Sequence, residues 1–168
     1  AIVTENCLGG IMISASHNPV NWNGLKLLNF NGEFLSGKES ALVFSNQDVN
    51  SLHQRQKKLK KPGCVRLLDY KDKHITSILN LIDVNVEKIK SQKFKIVIDG
   101  INSSGGLYVP YLLQKLGVEV IELNCHPNGH FAHNPEPLPE NLIELSKKVQ
   151  EHKADLGIAV DPDVDRLV

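Results

Sequence analysis

The sequence predicts an α/β protein in which mixed or parallel sheets are covered by helices, arranged as two units. Three observations carry that prediction. Apolar runs of strand type (94–98, 118–123, 156–160) alternate with helical-period stretches (103–116, 139–152), the β-α-β order that builds a parallel sheet with right-handed crossovers. The charge is split, with eight basic and five acidic residues in 1–70 against eleven and fourteen in 71–168. A basic run, Arg55, Lys57, Lys58, Lys60 and Lys61, ends in the breaker pair Pro62-Gly63 close to that divide. The expected units are therefore 1–70 and 71–168.

The elements follow in order. Gly10-Ile11-Met12-Ile13 reads as a short buried strand, Ser14 to Gly24 as a polar loop, Leu25 to Phe30 as a second strand and Asn31-Gly32 as a turn. Asp69 to Lys90 carries Ile75, Ile78, Leu79, Ile82, Val86 and Ile89 at helical spacing, in two pieces. Phe94 to Ile98 is a strand running into Asp99-Gly100, Ser103 to Leu116 a helix closed by Gly117, and Val118 to Leu123 the next strand. Pro139 to His152 makes another helix and Leu156 to Val160 the last strand. In such sheets ligands gather beyond the carboxyl ends of the strands, where Asp161 falls.

Composition narrows the class. With 168 residues, 41% hydrophobic and 23% charged, the chain is long enough to bury a core without staples and has no disordered or fibrous signature. Nineteen basic and nineteen acidic residues leave no global field for nucleic acid or anionic membrane. The basic run reads as a solvated helix end, since no aromatic platform interleaves with its lysines. No stretch approaches the roughly 18 apolar residues of a membrane helix. Cys7, Cys64 and Cys125, odd in number and widely spaced, fit reduced thiols in a cytoplasmic protein. The only methionine is Met12 and the chain stops just after an acidic cluster, so it is expected to be a piece of a longer polypeptide.

Two segments carry chemistry. In Asp161-Pro162-Asp163-Val164-Asp165-Arg166, three carboxylates at i, i+2 and i+4 project to one side of an extended backbone and are costly together unless a cation compensates them. Hard oxygen donors suit Mg²⁺, Mn²⁺ or Ca²⁺. An EF-hand is excluded, because the sixth position is Arg166 and a strand, not a helix, precedes. A solvated acidic turn, or a calcium-binding structural protein, is the competing reading. The other segment, Ser14-Ala15-Ser16-His17-Asn18-Pro19 continuing to Trp22-Asn23-Gly24-Leu25-Lys26, puts a hydroxyl on an open loop beside a histidine, with a lysine on the next strand. A plain Ser/Asn/Pro turn accounts for it equally well from the residues alone.

Together the two motifs resemble the α-D-phosphohexomutases: phosphoglucomutase, phosphomannomutase and phosphoglucosamine mutase. The stretch Phe131 to Leu142, with His133-Asn134-Pro135-Glu136-Pro137 and Glu140-Asn141-Leu142, resembles the segment preceding the metal loop in that family. The resemblance covers nearly the whole chain but under half of the family's four domains. It implies that 1–70 is the C-terminal part of the phosphoserine-bearing first domain, and 71–168 most of the second, ending in the metal loop. It further implies that Ser16 is the phosphoserine and, with Asp161, Asp163 and Asp165, a ligand of Mg²⁺. Lys26 would transfer a proton, His17 stand beside the phosphate, and Arg166 and Asn18 bind substrate or phosphate.

The implied reaction moves a phosphoryl group between the 1- and 6-positions of a hexose phosphate through a phosphoserine and a bisphosphorylated intermediate. Phosphomannomutase or phosphoglucomutase leads, with phosphoglucosamine mutase or a noncatalytic sugar-phosphate or metal-binding module of the same fold as alternatives. The isolated stretch is expected to be inactive, since the family's sugar-gripping surfaces lie elsewhere. The partner is a hexose phosphate, with neither nucleic acid nor membrane involved, and the oligomeric state is left open. Ser14 and Val164 depart from the family's common residues, Thr at the first position and Gly or Ala at the second.

Two further groups stand apart. Cys125, His126, His130 and His133 are zinc-type residues, but their spacing matches no regular zinc pattern. Asp99-Gly100 with Ser103-Ser104-Gly105-Gly106 is read as a tight strand-to-helix turn, with phosphate binding at a helix N-terminus as the alternative.

Overall fold

A computed structural model describes residues 1–45 and 63–168; the basic run at 55–61 and Pro62 lie outside the described residues. By contacts the chain divides into a first unit, Ala1–Met12 with Leu25–Tyr70, and a second, Ile13–Gly24 with Lys71–Val168. The loop 13–24 therefore groups with the second unit.

In the first unit, β1 (Gly10–Ile13) and β2 (Leu25–Leu28) form a two-stranded sheet. β2 stops two residues short of the expected Phe30 because Asn29 turns the chain. Its Oδ1 accepts from the Asn31 and Glu33 amides at 2.9 and 3.1 Å, and Gly32 takes the left-handed conformation at φ +80° that the turn needs. The expectation of a buried strand at 10–13 fails: Ile11 and Ile13 are 64% and 69% exposed. Apolar runs mark strands, but a two-stranded ladder has no second layer over that face among the described residues. A helix that periodicity did not announce, α1 (Gly37–Ser45), starts at a reciprocal cap. Ser36 Oγ accepts from the Glu39 amide, and the Glu39 carboxylate accepts from the Ser36 amide at 2.7 Å. Hydrogen bonds to the carboxylate from the Ser36 hydroxyl, at 2.7 Å, and then from its amide hold the Glu39 carboxyl below its ordinary value. Glu5 takes both Arg66 Nη2 at 2.7 Å and the Tyr70 hydroxyl at 2.6 Å.

The second unit is the helix-covered sheet. α2 (Lys71–Leu79) and α3 (Val86–Gln92) are the two expected pieces, the latter capped by Asn85 Oδ1 on the Lys88 amide at 2.9 Å. Then come β3 (Lys95–Asp99), α4 (Gly105–Lys115), β4 (Glu119–Leu123), a 3-10 turn at Pro139–Asn141, α5 (Ile143–His152) and β5 (Leu156–Ala159). All pairings are parallel in the order β4-β3-β5, with Ile98 opposite both Glu122 and Ile158. The two-residue period of the central strand sends alternate side chains to opposite faces. Ile96 and Ile98 pack with Leu113 of α4 and Val118, whereas Val97 packs with Leu142 and with Leu145 of α5. Burying such a side chain fully stabilises the fold by about 1.5–3 kcal/mol.

The expected helix 139–152 is broken in two, because Asn141 Nδ2 turns back to donate to Glu136 O at 2.7 Å and Leu142 leaves helical geometry at φ −108°. The glycines after β3 are packing glycines. A Cβ at Gly106 would stand 2.6 Å from the Cys125 backbone, and one at Gly100 2.7 Å from Gly106 Cα. Among the described residues no helix is long and apolar enough to cross a membrane.

Candidate active site

The acidic loop is a closed excursion beyond β5. Val160 bridges Leu167, and Ala159 and Val168 exchange backbone bonds at 2.8 and 3.0 Å, so residues 161–166 are pinched at their base. Asp161 is wholly buried. Its Oδ1 accepts from the Asp165 and Arg166 amides at 3.1 and 3.2 Å, while Oδ2 is buried with no hydrogen-bond partner. Burial pushes the Asp161 carboxyl above its ordinary value, and the charges of Asp163 and Asp165 add to the effect, against the opposing Arg166 amide. Ligand atoms from Asp161, Asp163 and Asp165 all lie within 4.8 Å of one another. A buried carboxylate oxygen without a donor, facing two further carboxylates, is the donor set of a hard divalent cation. These residues fit such an ion.

The serine loop reaches the same place. Ser14 Oγ donates to Asp163 Oδ2 at 2.5 Å and accepts from the Ser16 amide at 3.0 Å. Ser16 itself sits in left-handed backbone at φ +53°, the kind of strain that a surrounding framework must hold. That bend lets neighbouring side chains meet, with Ser16 Oγ 3.2 Å from His17 Nδ1. His17 Nε2 is in turn 3.3 Å from Arg166 Nη2. A guanidinium carries donors only, so His17 Nε2 accepts and Nδ1 carries the proton donated to Ser16 Oγ. Arg166 Nη1 lies 3.4 Å from Glu136 Oε1, and the Glu136 amide and carbonyl are held by Asn134 Oδ1 and Asn141 Nδ2. Asn18 closes the loop, its side-chain amide donating to Ala15 O at 2.8 Å.

Ser16, His17, Asn18, Asp161, Asp163, Asp165 and Arg166 thus fall in one unit, and Lys26 lies on β2 of the other. Two contributors are not legible in the sequence as members of the site. Ser14 stands in the serine-loop motif, but nothing there announces its bond to Asp163. Glu136 belonged to the 131–142 motif, and nothing in its spacing announced Arg166. A cavity of about 340 Å³ is lined by Pro19 and Val20 of the serine loop together with Phe131, His133 and Pro135.

The zinc-type residues do not converge. His133 Nε2 faces Asp99 Oδ2 at 3.0 Å, and Cys125 Sγ faces the Ile98 and Leu123 carbonyls at 3.6 and 3.3 Å. Burial pushes the Cys125 thiol up to about 11, which makes it a packing residue and a poor nucleophile. The only set of three candidate metal ligands that meets among the described residues is the aspartate triplet.

Residues 72–168 match the family model for the phosphoglucomutase/phosphomannomutase alpha/beta/alpha domain II, and residues 1–49 match that for domain I. A phosphoglucomutase/phosphomannomutase of Thermococcus kodakarensis is 41% identical over 167 residues, 97% of this chain and 35% of that protein. A phosphopentomutase of the same organism is 37% identical over 94% of this chain and 34% of its own length. A Methanosarcina barkeri protein assigned as a phosphoglucosamine mutase is 38% identical over 95% and 35%. The solved structure of a Thermus thermophilus protein assigned as a phosphomannomutase superposes with a TM-score of 0.78 at 20% identity, covering 99% of this chain and 37% of that one, and so speaks to the fold. The chain spans about a third of the length of the curated relatives it matches.

Proposed function

The chain belongs to the phosphoglucomutase/phosphomannomutase family, and on that premise we propose that it is the phosphoryl-carrying and cation-holding part of a mutase acting on sugar phosphates. Ser16 carries the phosphoryl group. Asp161, Asp163 and Asp165, with an oxygen on Ser16, would hold Mg²⁺, which when bound would neutralise charge developing on the phosphoryl oxygens. In the forward half, the P–O bond to Ser16 breaks as a sugar hydroxyl oxygen bonds to phosphorus. The hydroxyl's proton goes to a base, the role that the family resemblance gives Lys26, and Ser16 Oγ is stabilised as it leaves by the His17 Nδ1–H. In the return half the bisphosphorylated sugar gives its other phosphoryl group back to Ser16, so the sugar leaves with its phosphate moved. Arg166 orients His17 through Nη2 and binds phosphate from the same edge of the site.

The observation that carries this reading is the Ser14–Asp163 hydrogen bond, which ties the serine loop to the acidic loop. The preferred substrate is a hexose phosphate, glucose or mannose phosphate first. Relatives named as a phosphopentomutase or assigned as phosphoglucosamine mutases make pentose and glucosamine phosphates the necessary comparisons. The site is proposed to work in the cytoplasm. Peptide mass spectrometry of the full-length protein should find phosphate on Ser16, and Ser16→Ala should abolish turnover of every sugar phosphate that wild type converts. Undiminished turnover by the Ser16→Ala protein would place the nucleophile elsewhere.

A further inference from the structure

Two hydroxyls converge on one carbonyl inside the acidic loop. Ser103 Oγ and Ser104 Oγ, just before α4, donate to Pro162 O at 2.9 and 2.6 Å. A carbonyl oxygen has two lone pairs, so both are engaged and the peptide plane between Pro162 and Asp163 is set from outside the loop. That carbonyl is therefore withheld from any cation, leaving the carboxylates as the ligands. Ser104 occupies the N-cap position of α4 but makes no side-chain cap bond to its own helix. Serine there ordinarily satisfies a helix N–H. The hydroxyl is spent across the fold instead, on a residue 58 positions away.

Val164 marks a constrained turn inside the loop. Its φ is +63°, a conformation in which a β-branched residue is a true outlier. The loop keeps it there with a bond from the Val164 amide to Asp161 O at 3.1 Å. The bare face of Gly105 receives Val160, whose Cγ2 would lie 2.4 Å from a Cβ there, while Val164 Cγ2 comes only to ordinary contact distance at 3.4 Å. The Ser103-Ser104 turn thus grips the acidic loop at its carbonyl.

We propose that Ser103 and Ser104 are positioning residues for the cation, holding the acidic loop in its binding shape before an ion arrives. The inference rests on the metal reading above. An unclamped loop would have to be ordered by the ion itself, at the expense of affinity.

The test is calorimetric titration of Mg²⁺ into the full chain, paired with ion-free melting curves. S103A/S104A should bind Mg²⁺ about 10- to 100-fold more weakly, the usual penalty for losing groups that orient ligands, and S103T/S104T, which keeps both hydroxyls, should restore wild-type affinity. V164G accepts positive φ without strain, keeps both serines and restores a residue common in the family, so it should fold and bind Mg²⁺ at least as tightly as wild type. Unchanged affinity in S103A/S104A overturns the inference, even where the ion-free melting temperature falls, because the two serines would then be structural only. If S103A/S104A does not fold, S103A and S104A singly decide by the same criterion. A wild-type chain that binds no Mg²⁺ removes the metal reading and this inference together, whereas a wild type that binds alongside serine-to-alanine variants that bind equally removes only the inference.

Discussion

The Ser14 hydroxyl donates to Asp163 Oδ2 at 2.5 Å across 149 positions of sequence. The same oxygen accepts from the Ser16 amide, so one side chain links the Ser16 backbone to the acidic loop. A hydrogen bond to a charged group contributes about 1.5–3 kcal/mol. Ser14→Ala in the full-length protein should therefore lower kcat roughly 10- to 100-fold, while Ser14→Thr, which keeps the hydroxyl, should stay close to wild type. Steady-state assays of both variants check this, and a Ser14→Ala protein as fast as wild type would show that the link is idle.

Asp161 should be a liability without its ion. Its folded carboxyl is raised, chiefly by burial, so the stability linked to it is full below the unfolded value and is lost as pH rises through the folded one. At neutral pH the ion-free protein bears that penalty. Asp161→Asn should raise the ion-free melting temperature and erase the Mg²⁺-dependent rise, which for wild type corresponds to about 2.7 kcal/mol at a hundredfold excess over Kd. Calorimetric melts with and without Mg²⁺ decide it; an ion-free Asp161→Asn protein less stable than ion-free wild type contradicts the assignment.

Asp99, 1% exposed at the end of β3, accepts from the Ile101 amide, Asn124 Nδ2 and His133 Nε2 at 3.0, 3.2 and 3.0 Å. Asp99→Ala strands all three donors and should destabilise the chain by about 3–5 kcal/mol in urea unfolding. A loss under about 1 kcal/mol would mean that water replaces the carboxylate without strain.

The thiols should separate by reactivity. Cys7 and Cys64 are exposed, whereas the Cys125 thiol, pushed up to about 11, is ionised in about one molecule per thousand at pH 8. Iodoacetamide at that pH should label two cysteines quickly and Cys125 only on unfolding, as read by peptide mapping.

Much of the fold was legible because it is written in local patterns. The strand at Lys95–Asp99 and its neighbours follow from apolar runs between turn residues, the helix end at Gly117 from glycine's freedom to take positive φ, and the two helical pieces before it from apolar spacing. Where the reading failed, a distant partner or its absence was responsible. Ile11 and Ile13 carry the apolar pattern of a buried strand yet lie open, because pattern reports what could be covered, not what covers it. The 139–152 helix splits because Asn141 bonds back to Glu136, a choice that helical periodicity cannot register.

The sequence by itself determined the chemistry on offer: three carboxylates at alternate positions after a strand, a hydroxyl and an imidazole on one short loop, and a lysine on the strand beyond. These are properties of neighbours in the chain, set by residue type and spacing. Only the tertiary structure decided that Ser14 meets Asp163, that Arg166 reaches both His17 and Glu136, that Val164 is held at positive φ, and that two serines before α4 grip Pro162. Those relations join loops brought together by the packing of one unit. Which oxygen is left with a partner, and which is left for an ion, depends on groups 58 to 149 positions away in sequence that no local pattern specifies.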